Sequence, residues 1–151
     1  MSLSDWLANR WLVAHQASIE EIADLFAVVD RDLEDAMIPR LSPDWRLGIS
    51  YNAALQLATP ALAAAGYRPG RERAHERAIL SLGETVGVSS ATVDLLDAVR
   101  RKRNQGNYER AGTISSAEAA ELHNAVAELR RGVVQWLKKN HRGLCPPGFT
   151  P

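Results

Sequence analysis

The stretch Ser42–Gly66, SPDWRLGISYNAALQLATPALAAAG, decides the fold. A serine followed by proline is an N-cap with proline's fixed φ at the first helical position, and Gly66 is a stop, so the spacing predicts one helix running to about Ala65. Leu47, Tyr51, Ala54, Leu55, Ala58 and Leu62 recur at three- and four-residue steps and form its inner face. The many alanines permit close approach of a neighbouring helix. Pro60 removes one backbone hydrogen bond and crowds the preceding turn, which predicts a bend near Gln56.

The flanking segments read the same way. Leu3, Trp6, Leu7, Trp11 and Leu12 suit a short amphipathic helix. Ser18 with Glu21 is a capping-box pattern opening a helix whose stripe is Ile19, Ile22, Phe26, Val29, Leu33 and Met37, ended by Pro39. Beyond Gly70 a helix of about Arg71 to Val86 buries Ala78, Ile79, Leu82 and Val86. Ser89 or Ser90 caps the next, which carries Val93, Leu95, Leu96 and Val99 inward. Gly106 to Ser115 reads as a loop. Ser115 with Glu118 then opens a long helix to about Asn140, with the stripe Leu122, Val126, Leu129, Val133 and Trp136.

No run of strict alternation argues for a strand. The expectation is an all-α protein, an up-and-down helical bundle of four main helices plus short accessory helices, with residues 1–142 as a single domain. Pro146, Pro147, Gly148 and Pro151 mark residues 143–151 as a mobile tail. Trp6, Trp11, Trp45 and Trp136 are spaced as anchors of core or dimer packing rather than as surfaces for stacking bases.

A chain of 151 residues suits one domain with a sizeable core. Its 18 cations balance 18 anions, so it lacks the global positive field of a non-specific nucleic-acid binder, and any such contact must be local. The lone Cys145 can close no intramolecular disulfide and has no zinc-ligand spacing around it, which points to a reducing, cytoplasmic setting without a metal site. No cofactor motif is present. No segment reads as a leader or membrane span.

Chemistry concentrates in Arg100-Arg101-Lys102-Arg103-Asn104-Gln105-Gly106-Asn107-Tyr108. Cations suit the end of a helix, but four in a row exceed what capping requires. Arg100, Arg101, Lys102 and Arg103 are therefore candidates for binding RNA or a nucleotide. If the helix continues one turn, Arg103 lies seven residues beyond Leu96 and four beyond Val99, on the apolar face. Arg100, Asn104 and Tyr108 form an adjacent stripe, and Arg101 and Lys102 point outward. An arginine at the edge of a buried face needs Glu118, Glu121 or Asp97 as partner, or a phosphate that its planar fork matches. Of the histidines, His15, His123 and His141 read as surface or helix-end residues, and Tyr51 reads as core.

Taken in order, Tyr51-Asn52-Ala53-Ala54-Leu55-Gln56-Leu57-Ala58, Gly66-Tyr67-Arg68-Pro69, Arg73-Ala74-His75 and Arg103-Asn104-Gln105-Gly106-Asn107-Tyr108 resemble a HEPN (higher eukaryotes and prokaryotes nucleotide-binding) domain over about residues 18–141. The resemblance implies an up-and-down helical bundle, usually a homodimer. It also implies either a metal-independent ribonuclease of toxin–antitoxin, defence or RNA-processing systems, or a non-catalytic partner of a nucleotidyltransferase. Active members carry an arginine, often with a following polar residue, and a histidine four to six residues further on. Arg103 and Asn104 match the first half, whereas Tyr108 stands where the histidine would follow. A tyrosine with a reference pKa of about 10 is a poor base at neutral pH, though it can donate to phosphate. The resemblance thus makes Arg103, Asn104 and Tyr108 the catalytic set of an active form, gives His75 a structural place facing the bundle, and favours a binding role over cleavage.

Overall fold

The structure, a computed structural model, describes residues 1–104 and 112–150. Serines start most of its helices. Ser2, Ser18, Ser42, Ser89 and Ser115 each accept a hydrogen bond from the backbone N–H three residues on, at 3.0 to 3.3 Å. Each such cap contributes about 1 kcal/mol by satisfying a donor that the first turn leaves open. The helices so started are α1 (Leu3–Ala8), α2 (Ile19–Asp35), α3 (Pro43–Ala64), α5 (Ser90–Asn104) and α6 (Ser116–Asn140), whereas α4 (Ala74–Ser81) begins after Arg73 without a side-chain cap.

Four long helices, α2, α3, α5 and α6, with two short ones make the expected all-α helical bundle. Helix α3 is its axis, packed chiefly against α2 and α6. Its small side chains explain this: Ala53, Ala54, Ala58, Ala61 and Ala63 are buried together with Leu47, Tyr51, Leu55 and Leu57, so neighbours approach on more than one side. The helix runs through Pro60 to Ala64. Into the main core α2 sends Ile22, Phe26 and Val29, α4 sends Ala78 and Ile79, and α5 sends Val93, Leu96 and Val99. Helix α6 adds Leu122, Val126, Leu129, Val133, Val134 and Leu137.

Several boundaries differ from the sequence reading. The first helix stops at Ala8, because Arg10 takes a left-handed φ of 63° and turns the chain. Trp11 and Leu12 therefore do not extend it. Leu12–Ala14 is a strand, β1, paired antiparallel with β2 (Tyr67–Pro69) in the register Leu12 with Pro69 and Ala14 with Tyr67. Three residues are too few to display a two-residue period, so alternation could not reveal either strand. Trp6, Leu12 and Leu62 form a second small core there, with Trp11 edge-on to Trp6 at 5.8 Å. At the end of this sheet, a Cβ on Gly70 would lie 2.9 Å from the Arg10 carbonyl oxygen. Gly70→Ala should cost about 1–3 kcal/mol by overpacking, read as a lowered melting temperature. An unchanged midpoint would show that the strand end yields.

The segment expected to be helical from Arg71 to Val86 is helical only over Ala74–Ser81. Glu84 and Thr85 donate to the Ser81 carbonyl, and Gly87 turns at φ 77°. The capping box at Ser18 is half made: Glu21 N–H bonds Ser18, but the Glu21 carboxylate meets His15 Nε2 at 2.8 Å and ties β1 to α2. The segment beyond Gly143 lies against the core. Phe149 stacks edge-on against buried Phe26 at 4.9 Å, Leu144 and Cys145 pack beside it, and Arg130 Nη1 donates to the Thr150 carbonyl at 2.9 Å.

Candidate phosphate-binding cleft

Helix α5 positions the basic run. With Val93, Leu96 and Val99 buried, its last turn emerges from the core carrying Arg100 to Arg103. Cations are favoured at this end by the carbonyl dipoles. Arg100 is the inward one, its side chain only 14% exposed. Its Nε donates to Asp97 at 2.8 Å, and its guanidinium lies 3.7 Å from Glu76 of α4. Arg101 pairs with the other Asp97 oxygen at 3.3 Å, and Lys102 with Glu118 of α6 at 3.5 Å; both are more than half exposed. Such exposed pairs are worth at most about 1 kcal/mol. Two of the acids considered for Arg103, Asp97 and Glu118, thus serve its neighbours.

Arg103 turns toward α3. Its Nη1 donates to the Gly48 carbonyl at 3.5 Å and its guanidinium lies 5.0 Å from the centre of the Tyr51 ring. The face through Leu96 and Val99 does reach Arg103, but there the helix has left the core, so the residue leans on Tyr51 while remaining exposed. Tyr51 itself is buried, as expected. The side chain of Asn104 and all of Tyr108 lie outside the described residues, as do residues 106–111 of the expected loop.

Arg103 lines a cleft of about 240 Å³ with Asp32, Trp45, Gly48, Ile49 and Asn52. Asp32 is 5% exposed, a carboxylate inside the bundle. Burial of this charge is tolerable because Arg31 donates to Oδ1 at 2.9 Å and Asn52 Nδ2 to Oδ2 at 2.6 Å. Asp32 was legible in one respect: three residues after Val29 and four before Ala36, it sits on the buried stripe of α2. In the first turn of α3, Asp44 accepts from the backbone N–H groups of Gly112 and Ile114, at 3.1 and 3.2 Å, and so fixes the approach to α6. Trp45 is 67% exposed and anchors no core. That departs from a core role and leaves the dimer contact that the sequence reading also offered.

A second cleft, of about 460 Å³, is lined by Arg71, Arg73, Ala74, His75, Glu76 and Arg100. Glu76 is bonded by Arg73, which holds its carboxyl below the ordinary range against the opposing effect of desolvation; the charge of Arg100 adds to the lowering. Because the folded-state pKa is depressed, this contact stabilises above the ordinary carboxylate range and is lost as pH falls through the lowered value. His75 lines this cleft, apart from the Arg103 cleft.

The other histidines serve the fold. His15 holds Glu21, His123 Nε2 donates to the Leu33 carbonyl at 2.9 Å, and His141 ends α6 with its ring 4.7 Å from that of Trp136. Among the described residues no group of three or more His, Cys, Asp and Glu side chains is arranged to hold a metal ion. No described helix is long and apolar enough to cross a membrane. The chain matches no protein-family model, no curated protein and no solved structure.

Proposed function

We propose that this is a HEPN-like helical protein that binds RNA or a nucleotide through a phosphate held at Arg103, as a non-catalytic or weakly catalytic component of a toxin–antitoxin, defence or RNA-processing system. One observation carries the reading: an exposed guanidinium, braced by the Tyr51 ring, at the mouth of a cleft that also offers the Asn52 amide. A guanidinium matches two phosphate oxygens with parallel N–H donors, and its aromatic support orders the fork before a ligand arrives. The neutral overall charge fits a local contact rather than a long basic track.

A metal-independent ribonuclease is the less supported reading. The motif histidine is replaced by Tyr108, and His75 lines the other cleft. A homodimer, or a nucleotidyltransferase as partner, belongs to the same proposal through the resemblance.

The test is fluorescence anisotropy of a labelled single-stranded RNA titrated with the protein at several salt concentrations. Binding that weakens linearly on a log–log salt plot, with a shallow slope of roughly one to three phosphates, is the expected result. Absence of binding at low salt sinks the proposal. RNA cleaved in EDTA by wild type but not by Arg103→Ala would move the reading to the ribonuclease.

A further inference from the structure

The four tryptophans are not equivalent. Trp6 is 8% exposed, Trp11 lies under the Arg77 guanidinium at 4.9 Å, and Trp136 stacks near His141. Trp45 is 67% exposed, and among the described residues no second ring or guanidinium covers it. It stands in the first turn of α3, where its backbone N–H is satisfied by Ser42 whatever the side chain, so the helix start does not require an indole. Yet the indole lines the same cleft as Arg103 and Asn52.

We infer that Trp45 is a stacking platform for one unpaired nucleobase whose phosphate is held by Arg103, so that the cleft takes single-stranded RNA in preference to duplex. The inference rests on the binding role proposed above and adds the part of the ligand that is read. A flat indole beside a cation offers both surfaces that a nucleotide presents, a π-face and an anion. The cleft volume, about 240 Å³, is below the range of drug-sized pockets and suits a single nucleotide unit. A base inside a duplex has both faces covered by its neighbours and cannot lie on the indole. The buried Asp32 carboxylate, countered by Arg31, leaves the cleft without an uncompensated negative charge to repel the phosphate.

The experiment uses the full chain and two probes, a labelled oligoadenylate and the same strand annealed to its complement. Affinity is read by anisotropy and indole environment by intrinsic emission. Oligoadenylate should quench part of the tryptophan emission of wild type, the quenching should vanish in Trp45→Ala, and affinity for the single strand should fall about tenfold. Trp45→Phe should retain most of it. Trp45→Ala should melt with wild type, since its side chain is exposed. Equal single-strand affinity in wild type and Trp45→Ala, or duplex bound as tightly as single strand, overturns the inference while leaving the phosphate-binding role standing. Failure of wild type to bind either probe overturns both. If Trp45→Ala changes only the oligomeric state in sedimentation, with RNA affinity intact, the indole is a protein contact and the inference is likewise overturned.

Discussion

Arg103→Ala should lower affinity for single-stranded RNA at least about tenfold. A hydrogen bond to a charged group contributes roughly 1.5–3 kcal/mol, and each 1.4 kcal/mol is about a factor of ten in affinity. In the free protein Arg103 donates across a long 3.5 Å to the Gly48 carbonyl and lies 5.0 Å from the centre of the Tyr51 ring. An exposed contact of the latter kind is worth about 0.5–1 kcal/mol. The expected result is a large affinity change, with the melting temperature measured alongside to separate it from any loss of stability. The slope of log affinity against log salt should also fall by about 0.7, the value for one single-strand phosphate contact. Arg103→Lys should recover charge but not the planar fork, and so lie between the two. If Arg103→Ala binds RNA like wild type, the phosphate is held elsewhere, and Arg101 and Lys102 become the next residues to replace.

Phe26→Ala should have the largest effect on stability. Phe26 is fully buried at the junction of α2, the terminal segment and α6: the Phe149 ring meets it edge-on at 4.9 Å and the Arg130 guanidinium lies 5.7 Å from its centre. Emptying such a site costs about 3–5 kcal/mol, the lost transfer energy plus the cavity. For a chain of this size that is a fall in melting temperature on the order of 10 °C. Phe149→Ala should cost less, because that ring is only partly buried. Arg130 would hold the end of the chain in that variant, through Asp30 at 2.6 Å and the Thr150 carbonyl at 2.9 Å. Hydrogen exchange near Cys145 should accelerate in both variants. A Phe26→Ala protein that melts with wild type would mean the terminal segment collapses into the vacated space.

The long helices were legible because their signals are local. The caps at Ser42 and Ser115, the stripe from Leu122 to Val133 and the stripe from Val93 to Val99 each involve residues three or four apart, and each reappears as a hydrogen bond or a buried face. The spacing that placed Arg103 beyond Leu96 and Val99 was equally sound, since it leans on α3. It could not say that the core ends one turn earlier, leaving Arg103 exposed and Arg100 largely enclosed. The three-residue strands and the late start of α4 were not legible. Arg10 and Arg73 take left-handed φ angles of 63° and 54°, which no residue-type preference announces for arginine.

From the sequence alone come the helical class, most helix starts and the buried stripes, because a helix is specified by interactions within one turn of itself. Only the tertiary structure decided what stands in the cleft. Arg103 meets Gly48 across 55 residues and Asn52 meets Asp32 across 20. A stripe tells which face of a helix is inward but not which helix it meets or where the bundle ends. Both depend on how whole elements pack, and that packing is what leaves Trp45 in the open beside a guanidinium.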